Sequence, residues 1–148
     1  MYQKRKNLSR IQIIEFSVLF IILNYLDIAS KKLEDLSETD FLSEKNESLK
    51  KEITTYLIEG NDKESINKKI NTNYDKIIRE INENSNIQII IKNKNNEEIS
   101  NLLDELIRDH REQTNLRKIE SLEEKLINNL DENSYSELIK LKNQLNSE

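Results

Sequence analysis

The chain contains no cysteine, no proline, no tryptophan and only one glycine among its 148 residues. The lack of cysteine excludes disulfides, thiolate zinc sites and cysteine nucleophiles. It also fits a reducing compartment, and we expect a cytoplasmic protein. Because proline and glycine are the strongest interrupters of helices, their scarcity leaves polar turns as the main breaks. These absences predict an all-α fold.

Chemical motifs are also missing. The sequence has no glycine-rich phosphate loop, nucleophile elbow or H-E-x-x-H pattern. Its single histidine, His110, lies between Asp109 and Arg111 in a polar stretch, so we expect a solvated surface residue. Acidic residues often stand four positions from basic ones, as Glu47 and Lys51 do, which is typical of helix surfaces. We predict no catalytic residue, cofactor or metal in this chain.

Charged residues make up 34% of the chain, and the net charge is −5 with both signs interspersed. This balance gives no basic footprint for nucleic acid, so we expect no direct nucleic-acid contact. A chain of this length forms one domain, or one domain with a small appendage.

The longest regular pattern runs through residues 95–130, where apolar residues recur every three or four positions, the period of a helix. Asn95 and Glu98 fit a capping box at its start. Residues 110–115 (HREQTN) include no large apolar side chain. We predict one long helix with two buried halves joined by a solvent-exposed polar segment.

Several shorter helices precede it. Ser9 and Gln12 fit a capping box for a first helix that is apolar nearly all round, which is typical of the centre of a bundle. Further helices are predicted at 28–36, 44–58, 62–70 and 74–81, with Gly60 as a C-cap after the helix ending at 58. The breaks between them are predicted at 71–73 and 82–86. Residues 37–40 are predicted as a turn that returns residues 41 and 42 to the core. Residues 87–91 (IQIII) fit a strand or a buried helical turn, and we predict a helical or irregular segment because no second strand is present.

Residues 134–137 form another capping box before a final helix with Tyr135, Leu138, Leu141 and Leu145 on one face. A short polar turn between two amphipathic helices indicates an antiparallel hairpin. We therefore predict an N-terminal helical bundle (residues 1–110), joined by the long helix to a C-terminal hairpin (residues 111–148). The apolar residues of the hairpin either pack only on each other or leave a surplus for a partner.

A targeting segment is an alternative for the first helix, because Lys4, Arg5 and Lys6 precede an apolar run and Ala29 and Ser30 follow it. A membrane anchor at residues 11–26 is a related alternative. The uninterrupted apolar run covers only residues 16–23, whereas about 20 residues are needed to span a bilayer. We favour a core helix and no membrane association.

Two regions resemble the carboxy-terminal helicase-binding domain of bacterial DnaG-type DNA primase, particularly its alphaproteobacterial branch. The first, residues 15–49, has an apolar helix leading into Leu23-Asn24, a short helix with Leu33 and Leu36, then Phe41. It has Tyr-Leu at 25–26 where the family has His-Pro. The second, residues 103–145, has LDELIRDHREQTNLRKIESLEEKL before an acidic turn and a leucine-rich helix.

The resemblance implies a non-catalytic interaction domain that docks on the amino-terminal domains of the hexameric, DnaB-type replicative helicase during priming. It implies the terminal hairpin as the contact. The candidate helicase-binding residues are Leu130, Tyr135, Leu138, Ile139, Lys142 and Leu145. The alternative from the residues alone is a self-associating structural protein whose long helix forms a coiled coil, although residues 110–115 interrupt its heptads.

Overall fold

The computed structural model describes residues 9–129 and 132–146, and of residues 128, 129 and 132–134 it describes the backbone alone. All regular structure in these ranges is helical, which confirms the all-α prediction. The helices are α1 (Arg10–Asn24), α2 (Leu26–Ser30), α3 (Leu33–Glu38), α4 (Glu44–Ile58), α5 (Lys63–Asn73), α6 (Asp75–Asn84), α7 (Ile87–Ile91), α8 (Asn96–Asn129) and α9 (Glu132–Asn146). The chain forms two compact units, the first ending at Ile107 and the second beginning at Arg108.

Helix α1 lies at the centre of the first unit. The predicted capping box is confirmed, since the Gln12 N–H donates to Ser9 Oγ at 3.2 Å and the Ser9 N–H to Gln12 Oε1 at 3.0 Å. Every residue from Ile14 to Ile22 is buried. A helix buried on all sides needs apolar residues all round, as the sequence indicated.

The segment after α1 differs from the prediction. The single helix expected at residues 28–36 is two short helices, α2 and α3, and α3 extends to Glu38, over the first half of the turn predicted at residues 37–40. Phe41 is buried as expected, but the side chain of Leu42 is 50% exposed. The reason is that the Leu42 backbone faces inward, where its N–H donates to Glu15.

Helix α4 has the predicted bounds, and Gly60 follows it with a φ of +80°. The Gly60 N–H donates to the Leu57 carbonyl and the Asn61 N–H to the Tyr56 carbonyl, both at 3.1 Å. These two bonds define a Schellman motif, which uses a left-handed residue to satisfy the last carbonyls of a helix. The predicted role of Gly60 as a C-cap is confirmed.

Helices α5 to α7 surround the core with short amphipathic segments. Asp62 caps α5 by accepting the Ser65 N–H at 2.7 Å. Helix α5 continues through the break predicted at 71–73, and α6 covers most of the break predicted at 82–86. The chain turns between the two helices at Tyr74. Polar asparagines suggested loops, but asparagine is tolerated within an exposed helix when other residues pack. The helical alternative for residues 87–91 is confirmed.

Charged side chains fix the loop between α3 and α4. Glu47 accepts the Phe41 N–H at 3.0 Å and pairs with Lys50 at 2.8 Å. The Lys50 ammonium also donates to the Thr39 carbonyl and lies 5.0 Å from the centre of the Phe41 ring. Lys50 is only 1% exposed, so its charge is stabilised by these partners rather than by water.

Candidate functional site

The long helix α8 contributes to two separate cores. Its capping box is confirmed, because the Glu98 N–H donates to Asn95 Oδ1 at 2.9 Å and the Asn95 N–H to Glu98 Oε1 at 3.2 Å. Ile99, Leu103 and Ile107 are buried in the core of the first unit. Beyond Arg108, apolar residues of the same helix form the core of the second unit.

The prediction of a solvated His110 is wrong, because this residue is only 2% exposed. His110 follows Leu103 and Ile107 at separations of seven and three, so helical geometry places it on the same stripe. Arg111 is exposed, whereas residues 112–115 are half-buried. Residues 110–115, which we predicted to be solvent-exposed, are therefore partly buried. The prediction relied on the polar residue types, whereas the helical period places His110 on the buried stripe.

The second unit is a pair of helices with a narrow apolar core. Ile119 and Leu122 of α8 and Leu138 of α9 are buried against one another. Leu126, Leu141 and Leu145 pack against them and are half-buried. The prediction of a capping box at Ser134 is wrong, because α9 begins at Glu132 and Ser134 lies inside it.

An ion pair shows which sides of these two helices lie together. Lys142 Nζ on α9 is 3.2 Å from Glu123 Oε1 on α8, and each side chain is about half exposed. On α8, Ile127 is four positions from Glu123, and on α9, Ile139 is three positions from Lys142. Residues three or four apart lie on the same side of a helix. Ile127 and Ile139 therefore lie beside the ion pair, on one side of this helix pair.

Apolar side chains share this side with charged ones, since exposed Glu120 lies four positions after Leu116. Ile127 is 82% exposed, Tyr135 56% and Ile139 42%, and Leu116 extends the stripe along α8 at 42%. We call this surface the hairpin face and define it by Leu116, Glu123 and Ile127 of α8 and Tyr135, Ile139 and Lys142 of α9. Apolar side chains gathered on one side of a small unit are typical of an interaction surface.

The candidate residues occupy different environments. Tyr135, Ile139 and Lys142 lie on the hairpin face, whereas Leu138 is buried in the hairpin core and Leu145 is half-buried against it. Leu130 lies outside the described residues. Sequence reasoning missed Ile127 as a surface residue. The available signal was that Leu126 and Ile127 are adjacent, so they cannot both face α9.

A second polar cluster lies in the first unit, around Glu52 of α4. Its carboxylate accepts hydrogen bonds from the Tyr56 hydroxyl at 2.6 Å and from the Tyr74 hydroxyl. Burial and the bond to Glu52 raise the pKa of Tyr74 to about 12. The bond to Glu52 also raises the pKa of Tyr56. Both phenols are hydrogen-bond donors here, and neither is prepared to act as a base at neutral pH.

An open cleft of about 680 Å³ lies beside Tyr74, between α4, the end of α5 and the start of α6. Its charged residues are Lys45, Lys76, Asp75 and Glu80. The equal number of positive and negative groups gives the cleft no preference for an anion or a cation.

Within the described ranges, no group of three or more histidine, cysteine, aspartate or glutamate side chains is placed to hold a metal ion. In the same ranges, no helix combines the length and the hydropathy needed to cross a membrane.

Comparisons with known proteins add no relative: no family model matches the chain, and neither the curated proteins nor the solved structures include a significant match.

Proposed function

We propose that this chain is a non-catalytic interaction domain of a DNA primase that binds the amino-terminal domains of a hexameric replicative helicase in the cytoplasm. The observation that carries the proposal is the hairpin face, where Ile127, Tyr135 and Ile139 are exposed together. The resemblance of residues 15–49 and 103–145 to the primase domain supplies the identity of the partner.

The chemistry of the hairpin face suits a protein partner. Tyrosine and large aliphatic residues are common anchors in protein interfaces, because they bury much apolar area with few rotatable bonds. The Glu123–Lys142 ion pair lies within this surface and would contribute orientation more than affinity. An amphipathic helical partner, or a groove between two helices, would cover such a surface.

The internal packing of α8 favours this proposal over a coiled coil along the whole helix. Ile99, Leu103 and Ile107 are buried in the first unit, and Ile119 and Leu122 in the second. A coiled-coil seam needs those apolar residues to face another chain. The main stripe of α8 is already occupied within its own chain.

Calorimetry with the helicase amino-terminal domain from the same organism tests the proposal. We expect the full chain to bind, and we expect Tyr135→Ala and Ile139→Asn each to weaken binding about tenfold or more. The matched control is Ile89→Asn on α7, since Ile89 is 78% exposed but belongs to the first unit. Failure of the intact chain to bind would reject the helicase, and equal binding by all three variants would reject the hairpin face.

A further inference from the structure

We infer that in the free protein the hairpin face is covered by the hairpin of a second copy of the chain, giving a four-helix dimer. Such a dimer is distinct from helicase binding and does not depend on it. It follows from the size of the hairpin core and from the arrangement of charges on the hairpin face.

The core between α8 and α9 is too small to bury the apolar surface of the second unit. Among the apolar side chains that the structure describes in this unit, Ile119, Leu122 and Leu138 are the buried ones, while Ile127 and Tyr135 on the adjacent side are more than half exposed. Two-helix units commonly complete a core by forming a four-helix bundle, which buries one further side of each helix. A second hairpin has the shape and the apolar surface that this requires.

The ion pair specifies the orientation of the second copy. Lys142 and Glu123 lie at the same level of the hairpin, on different helices. If the twofold axis runs parallel to the helices, α8 of each copy lies over α9 of the other. Each Lys142 then faces Glu123 of the second copy, and each Ile127 faces Ile139. In this arrangement opposite charges contact each other across the interface, and apolar side chains contact apolar side chains.

The other simple arrangement is disfavoured by charge. If the twofold axis crosses the helices at the level of the ion pair, α8 lies over α8, and Glu123 faces Glu123 of the second copy. Like charges placed opposite one another in an interface oppose association. The geometry therefore points to a dimer in which the α8–α9 connections of the two copies lie at the same end.

Sedimentation of the full chain over a range of concentrations tests the dimer. We expect the average mass to rise from that of one chain toward that of two, with dissociation on dilution. Ile127→Asn should raise the dimer dissociation constant about tenfold or more. The control Ile89→Asn should leave it unchanged, because Ile89 is similarly exposed but belongs to the first unit. A chain that remains monomeric at the highest concentration, or an equal effect of both variants, would overturn the inference.

Charge exchange between copies tests the orientation. Glu123→Lys alone and Lys142→Glu alone should each weaken the dimer, because like charges then meet across the interface. A mixture of the two variants should dimerise again, since Lys at 123 of one copy faces Glu at 142 of the other. Mixing does not restore the ion pair within either chain, so recovery reports only on contacts between copies. The crossed arrangement already places like charges together, so there the single variants should not weaken the dimer. Unchanged dimerisation of both single variants, or no recovery on mixing, would overturn this orientation.

The absence of cysteine allows an independent test that does not depend on charge. In a mixture of Ile127→Cys and Ile139→Cys chains, mild oxidation should yield mainly the mixed disulfide, because these two positions face each other in the dimer. Products in random proportion would contradict the orientation. Dimerisation without helicase binding would reject only the proposed function, and helicase binding by a strict monomer would reject only the dimer.

Discussion

The Glu15 carboxylate, fully buried on α1, accepts the backbone N–H of Leu42 at 2.7 Å. It also accepts the Ser43 N–H at 3.4 Å and the Asn46 side-chain amide at 2.9 Å. These bonds attach the start of α4 to the central helix. A buried carboxylate with several donors is stable as part of a network, and its removal leaves the donors without acceptors.

We expect Glu15→Ala to lower the free energy of unfolding by about 2–5 kcal/mol, because two backbone N–H groups and an amide lose their acceptor. Urea denaturation followed by circular dichroism measures this loss. Glu105→Ala is the matched control, since Glu105 is an exposed glutamate of α8 in the same unit, and its effect should stay within about 0.5 kcal/mol. Equal effects of the two substitutions would contradict the role of Glu15.

Neighbouring lysines of α4 provide a second comparison. Lys50 and Lys51 both contact the Glu47 carboxylate, at 2.8 and 3.7 Å, but Lys50 is 1% exposed and Lys51 is 72% exposed. We expect Lys50→Ala to cost about 3–5 kcal/mol of stability, because it removes the buried cation that pairs with Glu47 and donates to the Thr39 carbonyl. Lys51→Ala should cost less than about 1 kcal/mol, as exposed ion pairs do. The same denaturation experiment applies, and a reversed order would show that Lys50 is not stabilised by its partners.

Alkaline pH should destabilise the first unit through Tyr74. Its pKa is raised from 10.0 to about 12 in the folded protein, so the folded state favours the protonated phenol. This contribution is complete below the unfolded pKa of 10.0 and is lost as the pH rises toward about 12. Thermal unfolding across this range should show falling stability, and spectroscopic titration should show a late-ionising tyrosine.

Two variants separate this effect from general alkaline damage. Tyr74→Phe should remove the late-ionising group and reduce the loss of stability with pH. Glu52→Gln should lower the pKa of Tyr74, because the carboxylate both accepts its hydrogen bond and repels the phenolate. An unchanged titration in Glu52→Gln would contradict the assignment.

The C-cap of α4 gives a prediction based on backbone conformation alone. A Cβ added at Gly60 would meet no atom within 4 Å, so any cost of substitution comes from the φ of +80°. We expect Gly60→Ala to cost about 1–2 kcal/mol, and Gly60→Asn to cost less because asparagine tolerates the left-handed region better. Equal stability of the three proteins would mean that this conformation is not maintained.

The sequence alone determined features that depend on residues close together in the chain. The capping boxes at Ser9 and Asn95, the bounds of α4 and the role of Gly60 were all predicted correctly. In each case the interacting groups lie within a few residues, so helix geometry brings them together wherever the helix packs. The absence of proline and the helical period similarly determined the fold class.

Only the tertiary structure decided which side of each helix is buried. Residue type suggested solvent for His110 and the core for Leu42, and both predictions were wrong. The buried charges of Glu15 and Lys50 depend on partners that other segments supply. Likewise, periodicity placed Leu126 and Ile127 on α8, but packing against α9 decided that Ile127 faces outward beside Glu123 and Lys142. The sequence determines which residues share a side of a helix, whereas packing against neighbouring helices determines which side is buried.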